Sequence, residues 1–401
     1  MHAIALCAAA LASPCNAADD ATPFYATRFE RTPTAAELTA LGRRLFGERA
    51  LSASGRMSCV SCHDPRRAFG PANALPVQLG GADGSTPGVR AAPSLRYQQA
   101  VPSFTEHFFE SDGNDSEDQG PVGGRTWDGR ADSAHDQARL PLLSKQEMAN
   151  TSDAAILAQL ARSPSAASFR RTFGAHVFDD PALAFRGLLL ALEVYQQDPR
   201  DFYPYTSKYD AYLRGKATLN EAEARGLALF DGKGDCARCH PDRIKEGALP
   251  QFTDYGYAAL GLPRNPAIAA NADPAYFDLG LCGPLRSDLA QKAGYCGMFR
   301  VPTLRNVALR KTFFHNGSVA TLREAVRFYV ERDARPEKWY PRVEGTVERF
   351  NDLPERYRAN VEANPPFGAP ENGKPALDAS EIDAIVVFLG TLTDGWSGSK
   401  R

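Results

Sequence analysis

Two stretches of the chain gather cysteine and histidine at one fixed spacing: M-S-C-V-S-C-H-D-P over 57–65 and D-C-A-R-C-H-P over 235–241. The whole chain of 401 residues holds only eight cysteines and seven histidines, so composition does not account for the repetition. Thiols at i and i+3 with an imidazole at i+4 lie along one helical turn. Cys59, Cys62 and His63, and again Cys236, Cys239 and His240, suit two thioether links to the vinyl groups of a haem, with the histidine ligating iron from below. Zinc would need four ligands in one group, whereas these clusters lie far apart in the sequence. A redox dithiol of the thioredoxin kind expects a strand–helix–strand context that the pattern lacks. The spacing predicts two covalently bound haem c groups.

The other cysteines read differently. Cys7 and Cys15 fall in M-H-A-I-A-L-C-A-A-A-L-A-S-P-C-N-A-A-D-D, an apolar stretch from Ala3 to Ala12 followed by small residues to Ala17 or Ala18. That is the layout of a secretory signal peptide over 1–18, although the usual Lys or Arg before the apolar stretch is missing. The alternative is a disordered N-terminal tail. Export to the periplasm would place Cys282 and Cys296 (L-C-G-P … Y-C-G-M) in an oxidising compartment, where such a pair forms a disulfide closing a loop. Two unrelated buried thiols are the competing reading.

Each haem motif follows a helix that could position it. Thr34–Phe46 (T-A-A-E-L-T-A-L-G-R-R-L-F) and Thr218–Phe230 (T-L-N-E-A-E-A-R-G-L-A-L-F) share a Thr-x-x-Glu cap and a glycine, Gly42 or Gly226, four residues before phenylalanine. A small residue there lets another helix cross closely. Apolar helices at Ala182–Tyr195 and at Glu381–Leu392, the latter capped by Asp378, close the two halves. Strand-like alternation is scarce, and proline and glycine are spread widely. The expected fold is all-α with long loops: two cytochrome c-like domains, 19–200 and 201–401, each holding one haem. A net charge of −2 without a basic tract argues against nucleic acid as a partner. No apolar run approaches the roughly 18 residues of a spanning helix, so the chain is not read as membrane-spanning.

Residues 127–150, W-D-G-R-A-D-S-A-H-D-Q-A-R-L-P-L-L-S-K-Q-E-M-A-N, and 301–326, V-P-T-L-R-N-V-A-L-R-K-T-F-F-H-N-G-S-V-A-T-L-R-E-A-V, carry a resemblance. With both haem motifs in order, the chain resembles bacterial di-haem cytochrome c peroxidases and their MauG-type relatives over about 30–395. The resemblance implies that the N-terminal haem reacts with hydrogen peroxide and the C-terminal haem handles electrons. Trp127 matches the tryptophan between the two haems, a relay. Gln137 and Glu147 match polar residues on the open side of the peroxidatic haem, with Pro141 packed above the iron. Glu147 would move a proton between peroxide oxygens during cleavage. His135 matches no role and reads as structural or surface.

The departures from the family are informative. Many relatives carry a second histidine on the peroxidatic haem, but 64–93 contains none, and His107 lies beyond that interval. Ala91, in R-A-A-P, stands where relatives place a calcium-binding asparagine, which leaves an inter-domain Ca²⁺ resting on backbone carbonyls near Arg300–Pro302. In the helix after H-N-G-S, the position that gives peroxidases a methionine ligand is Tyr329; Met298 is the other candidate nearby. A tyrosine oxygen favours high-valent iron, as in the MauG-type branch, which oxidises side chains on a partner protein. The expected function is therefore a periplasmic MauG-type enzyme using peroxide for long-range oxidation of a protein substrate. A peroxidase fed by a small cytochrome comes second and a di-haem electron carrier third. The acidic loop 110–120 reads as a docking or merely solvated surface. R-P-E-K-W-Y-P at 335–341 offers aromatics either exposed as carriers of oxidising equivalents or packed.

Overall fold

The computed structural model describes residues 23–109 and 118–398. The segment read as a signal peptide and most of the acidic loop lie outside the described residues. Eleven helices are found among them: α1 (Ala35–Phe46), α2 (Cys59–Cys62), α3 (Ala134–Leu143), α4 (Asp153–Leu160), α5 (Ala166–Phe173), α6 (Pro181–Gln196), α7 (Pro199–Phe202), α8 (Lys208–Leu213), α9 (Glu221–Asp231), α10 (Leu322–Glu331) and α11 (Ala379–Gly390). Among the described residues, strands form three antiparallel two-residue pairs, besides isolated bridges: β1 (Leu79–Gly80) with β2 (Thr86–Pro87), β3 (Tyr257–Ala258) with β4 (Phe299–Arg300), and β5 (Arg342–Val343) with β6 (Thr346–Val347). The chain is mostly helical with long loops. No described helix is long and apolar enough to cross a membrane.

Two helix pairs organise the molecule, α1 against α6 and α9 against α11. A Cβ built on Gly42 would overlap the Ala191 carbonyl oxygen and stand 2.6 Å from the Tyr195 Cβ. At Gly226 it would overlap the Ala384 carbonyl oxygen and stand 2.7 Å from the Phe388 Cβ. Glycine at both crossings lets the backbones touch, as the sequence predicts. The residues behind each crossing form separate cores. One gathers Leu38, Leu45, Phe69, Phe173, Leu188 and Phe202; the other gathers Tyr209, Phe230, Phe252, Ile385, Phe388 and Leu392.

The caps differ from expectation in one place. Thr34 and Glu37 form the predicted box on α1, with the Glu37 carboxylate accepting from the Thr34 N–H at 2.9 Å. On α9 the box is Asn220 with Glu223, not Thr218 with Glu221. Asn220 stands at the same i, i+3 spacing from a glutamate, and its side chain accepts from the Glu223 N–H at 2.9 Å. Lys208 secures Glu223 further at 2.6 Å, which favours starting the helix there.

Candidate functional site

The two Cys-x-x-Cys-His stretches fold alike without being identical. Cys59–Cys62 makes one α-helical turn, α2, whereas Cys236–Arg238 makes a tighter 3₁₀ turn. In each, the backbone N–H of the histidine donates to the carbonyl of the first cysteine at 2.9 Å. The four thiols are free of disulfides, and burial pushes each well above the ordinary range: Cys59 and Cys236 to about 12, Cys62 and Cys239 to about 11.

The histidines share a partner type that sequence reasoning missed. His63 Nδ1 lies 2.8 Å from the Phe69 carbonyl oxygen, and His240 Nδ1 lies 2.7 Å from that of Phe252. A carbonyl can only accept, so Nδ1 carries the proton and Nε2 keeps its lone pair for a metal. Burial lowers both histidines, His240 to about 4, which keeps the imidazoles neutral. Phe69 (φ 56°) and Phe252 (φ 54°) both adopt a left-handed backbone that bulky side chains disfavour. Each is fully enclosed in its own core, which holds the strained turn and aims the carbonyl at the ring. The spacing from histidine to phenylalanine differs between the halves, so no repeat announces it.

The second motif opens on a cavity of about 2270 Å³, its mouth included, lined by Cys236, Cys239, His240 and Tyr329. Tyr329 projects from α10, which Thr321 caps by accepting from the Glu324 N–H at 3.1 Å. Its ring is flanked by Phe314 and Phe367, with centroids 6.0 and 5.2 Å away. Its hydroxyl makes no hydrogen bond among the described residues. Burial, and then the proximity of Cys239 and Cys236, pushes the phenol far above its usual range. A cation opposite His240 would reverse that penalty, so this donor set fits an iron porphyrin: two thiols, a neutral imidazole, an apolar wall and an unpartnered phenol. Met298 does not join it. It is absent from the lining, although its neighbours Gly297 and Phe299 belong to it, and its backbone is tied to Leu281 and Tyr295.

At the first motif, Gln137 and Pro141 lie one turn apart on α3 and share a face. The Pro141 carbonyl accepts from the Met148 N–H at 3.0 Å, folding the 144–150 loop back so that Glu147 sits beside that face. Gly80 in β1 lies over the same loop, where a Cβ would stand 2.8 Å from the Glu147 Cα. Glu147 makes no side-chain hydrogen bond among the described residues. Glu147 is exposed to solvent by area, although protein atoms crowd around its carboxyl. Burial holds it above the ordinary carboxylate range, and Arg130 opposes the shift. The charge of Glu147 also acts on both Cys59 and Cys62, so the acid faces the first motif.

Trp127 joins the halves. Its indole N–H donates to the Ala91 carbonyl at 2.8 Å, and its own carbonyl accepts from the Arg300 N–H at 2.9 Å. The ring meets that of His315 edge-on at 6.4 Å and lines the cavity. Beside it, Arg90 bridges Asp278 and Asp128 at 2.6 and 2.7 Å. A Ca²⁺ at this turn would have to rest on backbone carbonyls. Ala91 has no side-chain oxygen, the Arg300 guanidinium takes the Thr126 carbonyl at 3.2 Å, and no cluster of three acidic, histidine or cysteine side chains occurs among the described residues.

The remaining candidates fall outside the site. His135 is buried, stacked on Phe24 at 3.6 Å with Nδ1 2.8 Å from Glu193. His107 is exposed and pairs with Asp118. Cys282 and Cys296 are joined by a disulfide. The aromatics of 335–341 are packed rather than exposed: Tyr340 is buried with its hydroxyl donating to the Gly261 carbonyl at 2.5 Å, and Trp339 meets Phe328 edge-on at 5.2 Å.

Residues 36–218 match the family described as di-haem cytochrome c peroxidase. The methylamine utilization protein MauG of Paracoccus denitrificans (strain Pd 1222) is 36% identical over 393 residues, covering 93% of this chain and 92% of that protein. The cytochrome c551 peroxidase of Nitrosomonas europaea is 28% identical over 296 residues, covering 74% of this chain and 73% of the other. Among solved structures, the diheme peroxidase BthA from Burkholderia thailandensis E264 superposes with a TM-score of 0.79 at 37% identity, covering 92% of this chain and 93% of that one. Similarity of that extent, over nearly the whole of both chains, makes this chain a member of the di-haem cytochrome c peroxidase and MauG family, haem-containing oxidoreductases that act on peroxide.

Proposed function

We propose that the chain is an exported, periplasmic di-haem enzyme of MauG type that uses peroxide to oxidise a protein substrate at a distance. In this reading residues 1–18 are removed. Domain 19–200 holds a haem through Cys59, Cys62 and His63, and domain 201–401 holds one through Cys236, Cys239, His240 and Tyr329. The haems supply peroxide cleavage and storage of oxidising equivalents. The chain's own residues do the rest. Glu147, its pKa raised by burial and its carboxyl free of side-chain hydrogen bonds among the described residues, takes and returns a proton at its carboxylate oxygens. Gln137 orients the bound peroxide and Pro141 limits the space above it. Trp127, hydrogen-bonded to one half through its ring and to the other through its backbone, couples the two sites.

Tyr329 carries the proposal. An unpartnered phenol facing the Cys236–His240 motif is a hard oxygen donor where a small-cytochrome peroxidase would want a soft methionine. The test is Tyr329→Met beside Met298→Leu, followed by potentiometry and absorption spectroscopy. Tyr329→Met is expected to raise the second haem's potential by well over the ~59 mV of a tenfold one-electron change and to improve turnover with a cytochrome donor. If only Met298→Leu alters the second haem, the enzyme is an ordinary cytochrome-fed peroxidase instead.

A further inference from the structure

Ahead of α1, Phe24–Ala26 forms a 3₁₀ turn, and the next residue, Thr27, accepts from Arg186 of α6 at 3.0 Å. Within that turn Tyr25 is 72% exposed, more than any other Phe, Tyr or Trp among the described residues. Its hydroxyl turns the other way. It donates at 3.0 Å to the carboxylate of Glu193, a buried residue of α6. The second oxygen of that carboxylate lies 2.8 Å from Nδ1 of His135 on α3, and Phe24 stacks on the His135 ring at 3.6 Å. Three segments distant in sequence meet at one buried acid behind one exposed phenol.

Packing does not call for a tyrosine there. Phe24 already anchors the turn, Glu193 already has His135 as a partner, and an exposed ring buries little apolar area. What the phenol does have is a base in place. Burial of its hydroxyl end, and then the Glu193 charge, raise its pKa to about 12, so it meets any oxidant protonated. A phenol that loses an electron becomes strongly acidic, and a carboxylate at hydrogen-bond distance takes the proton. The position is suitable too. His135 stands two residues before Gln137 on α3, about 3 Å along the helix axis, and Pro141 follows about 6 Å further on.

We propose that Tyr25 is a redox-active residue, a surface outlet through which oxidising equivalents raised by peroxide at the first site pass to small phenolic donors. The inference rests on the haem reading of Cys59, Cys62 and His63. One electron leaves the Tyr25 ring for the oxidised first site, and the hydroxyl proton moves to the Glu193 carboxylate, leaving a neutral phenoxyl beside a neutral carboxyl. A phenol that meets the exposed ring gives up one electron and one proton. Tyr25 regains its hydroxyl, and Glu193 releases its proton to solvent. Two such cycles supply the two electrons and two protons that turn one peroxide into two waters. Without a donor, the phenoxyls of two copies couple. A carbon–carbon bond joins their rings, and the displaced ring hydrogens return to the oxygens.

The test is peroxide treatment of the holoprotein as wild type, Tyr25→Phe and Glu193→Gln, with haem per chain measured by the pyridine haemochrome method. Without a donor, the wild type is expected to show a tyrosyl radical by freeze-quench electron paramagnetic resonance and then a covalent dimer. Mass spectrometry should find the dimer joined through the tryptic peptide that ends at Arg28, whose only tyrosine is Tyr25. p-Cresol, a phenol like the tyrosine side chain, should suppress it. Both variants should lower the dimer yield by about tenfold or more, Glu193→Gln because an amide accepts the hydroxyl's hydrogen bond but not its proton. Four results overturn the proposal: no radical in the wild type, a cross-link at another tyrosine, a dimer that p-cresol leaves unchanged, or an undiminished yield in either variant. Fewer than two haems in the wild type would overturn the haem reading itself, and this role with it.

Discussion

The two halves use the same frame to hold opposite surroundings. In both, a glycine lets two helices meet, and a buried phenylalanine in a left-handed turn offers its carbonyl to the histidine. What differs is the wall facing the motif. The first half presents Glu147, a carboxyl without hydrogen bonds, beside Pro141 and Gln137; the second presents Tyr329 between Phe314 and Phe367. The histidine side is built for retention and is duplicated. On the proposed function the far side decides the chemistry: proton movement where Glu147 faces the first motif, a fixed ligand where the Tyr329 oxygen faces the second.

The comparison breaks most visibly at Glu147. Glutamine keeps the shape and removes the titrating group, so Glu147→Gln should slow the reaction with peroxide by about 10²-fold, with both haems retained. Burial raises the Glu147 pKa, so in the wild type the fraction able to accept a proton grows as pH rises through that raised value. The wild-type rate should climb over that window, while the variant stays slow and flat. Stopped-flow mixing across pH measures both. Equal rates, or the same slope in the variant, would leave Glu147 without a part in the chemistry.

A smaller effect tests the shared frame. Alanine at Gly42 would press on Ala191 and Tyr195, and alanine at Gly226 on Ala384 and Phe388, with almost the same geometry. Overpacking of this kind costs about 1–3 kcal/mol, offset in part by the roughly 1 kcal/mol that alanine gains over glycine in a helix. Denaturant melts of Gly42→Ala and Gly226→Ala should therefore show similar losses. A variant pair in which only one half is destabilised would mean that the two crossings are not equivalent supports.

The frame was more legible in the sequence than the walls. Cys-x-x-Cys-His, Gly42 and Gly226 announce themselves because their function depends on local spacing, and the Asp378 cap follows from the same kind of rule. The α9 cap was misplaced by two residues because Thr218-x-x-Glu221 and Asn220-x-x-Glu223 obey one spacing rule, and Lys208, distant in sequence, favours the second. Phe69 and Phe252 left no signal, since a left-handed phenylalanine is imposed by its core and not by its neighbours.

An acid whose side chain is buried sharpens the contrast with Glu147. Asp352 lies in the second half on the cavity wall, accepting from the Asn316 side-chain N–H at 2.9 Å and standing 3.5 Å from Arg264. Burial raises it from 3.8 to about 7, the Asn316 bond and Arg264 opposing. Unlike Glu147 it is held by neighbours, which suits a structural acid. Because the folded pKa lies above the unfolded one, the native state binds the extra proton. The stabilising contribution is full below the ordinary carboxylate value and is lost as pH rises through about 7. Asparagine keeps an oxygen for Asn316 and never ionises. Asp352→Asn should therefore match wild type in thermal melts near pH 4 and gain about 2 °C or more on it by pH 8, with peroxide reactivity unchanged. Parallel melting curves at every pH would show that Asp352 is ionised in the fold, and a fall in peroxide reactivity would move it from the frame to the working wall.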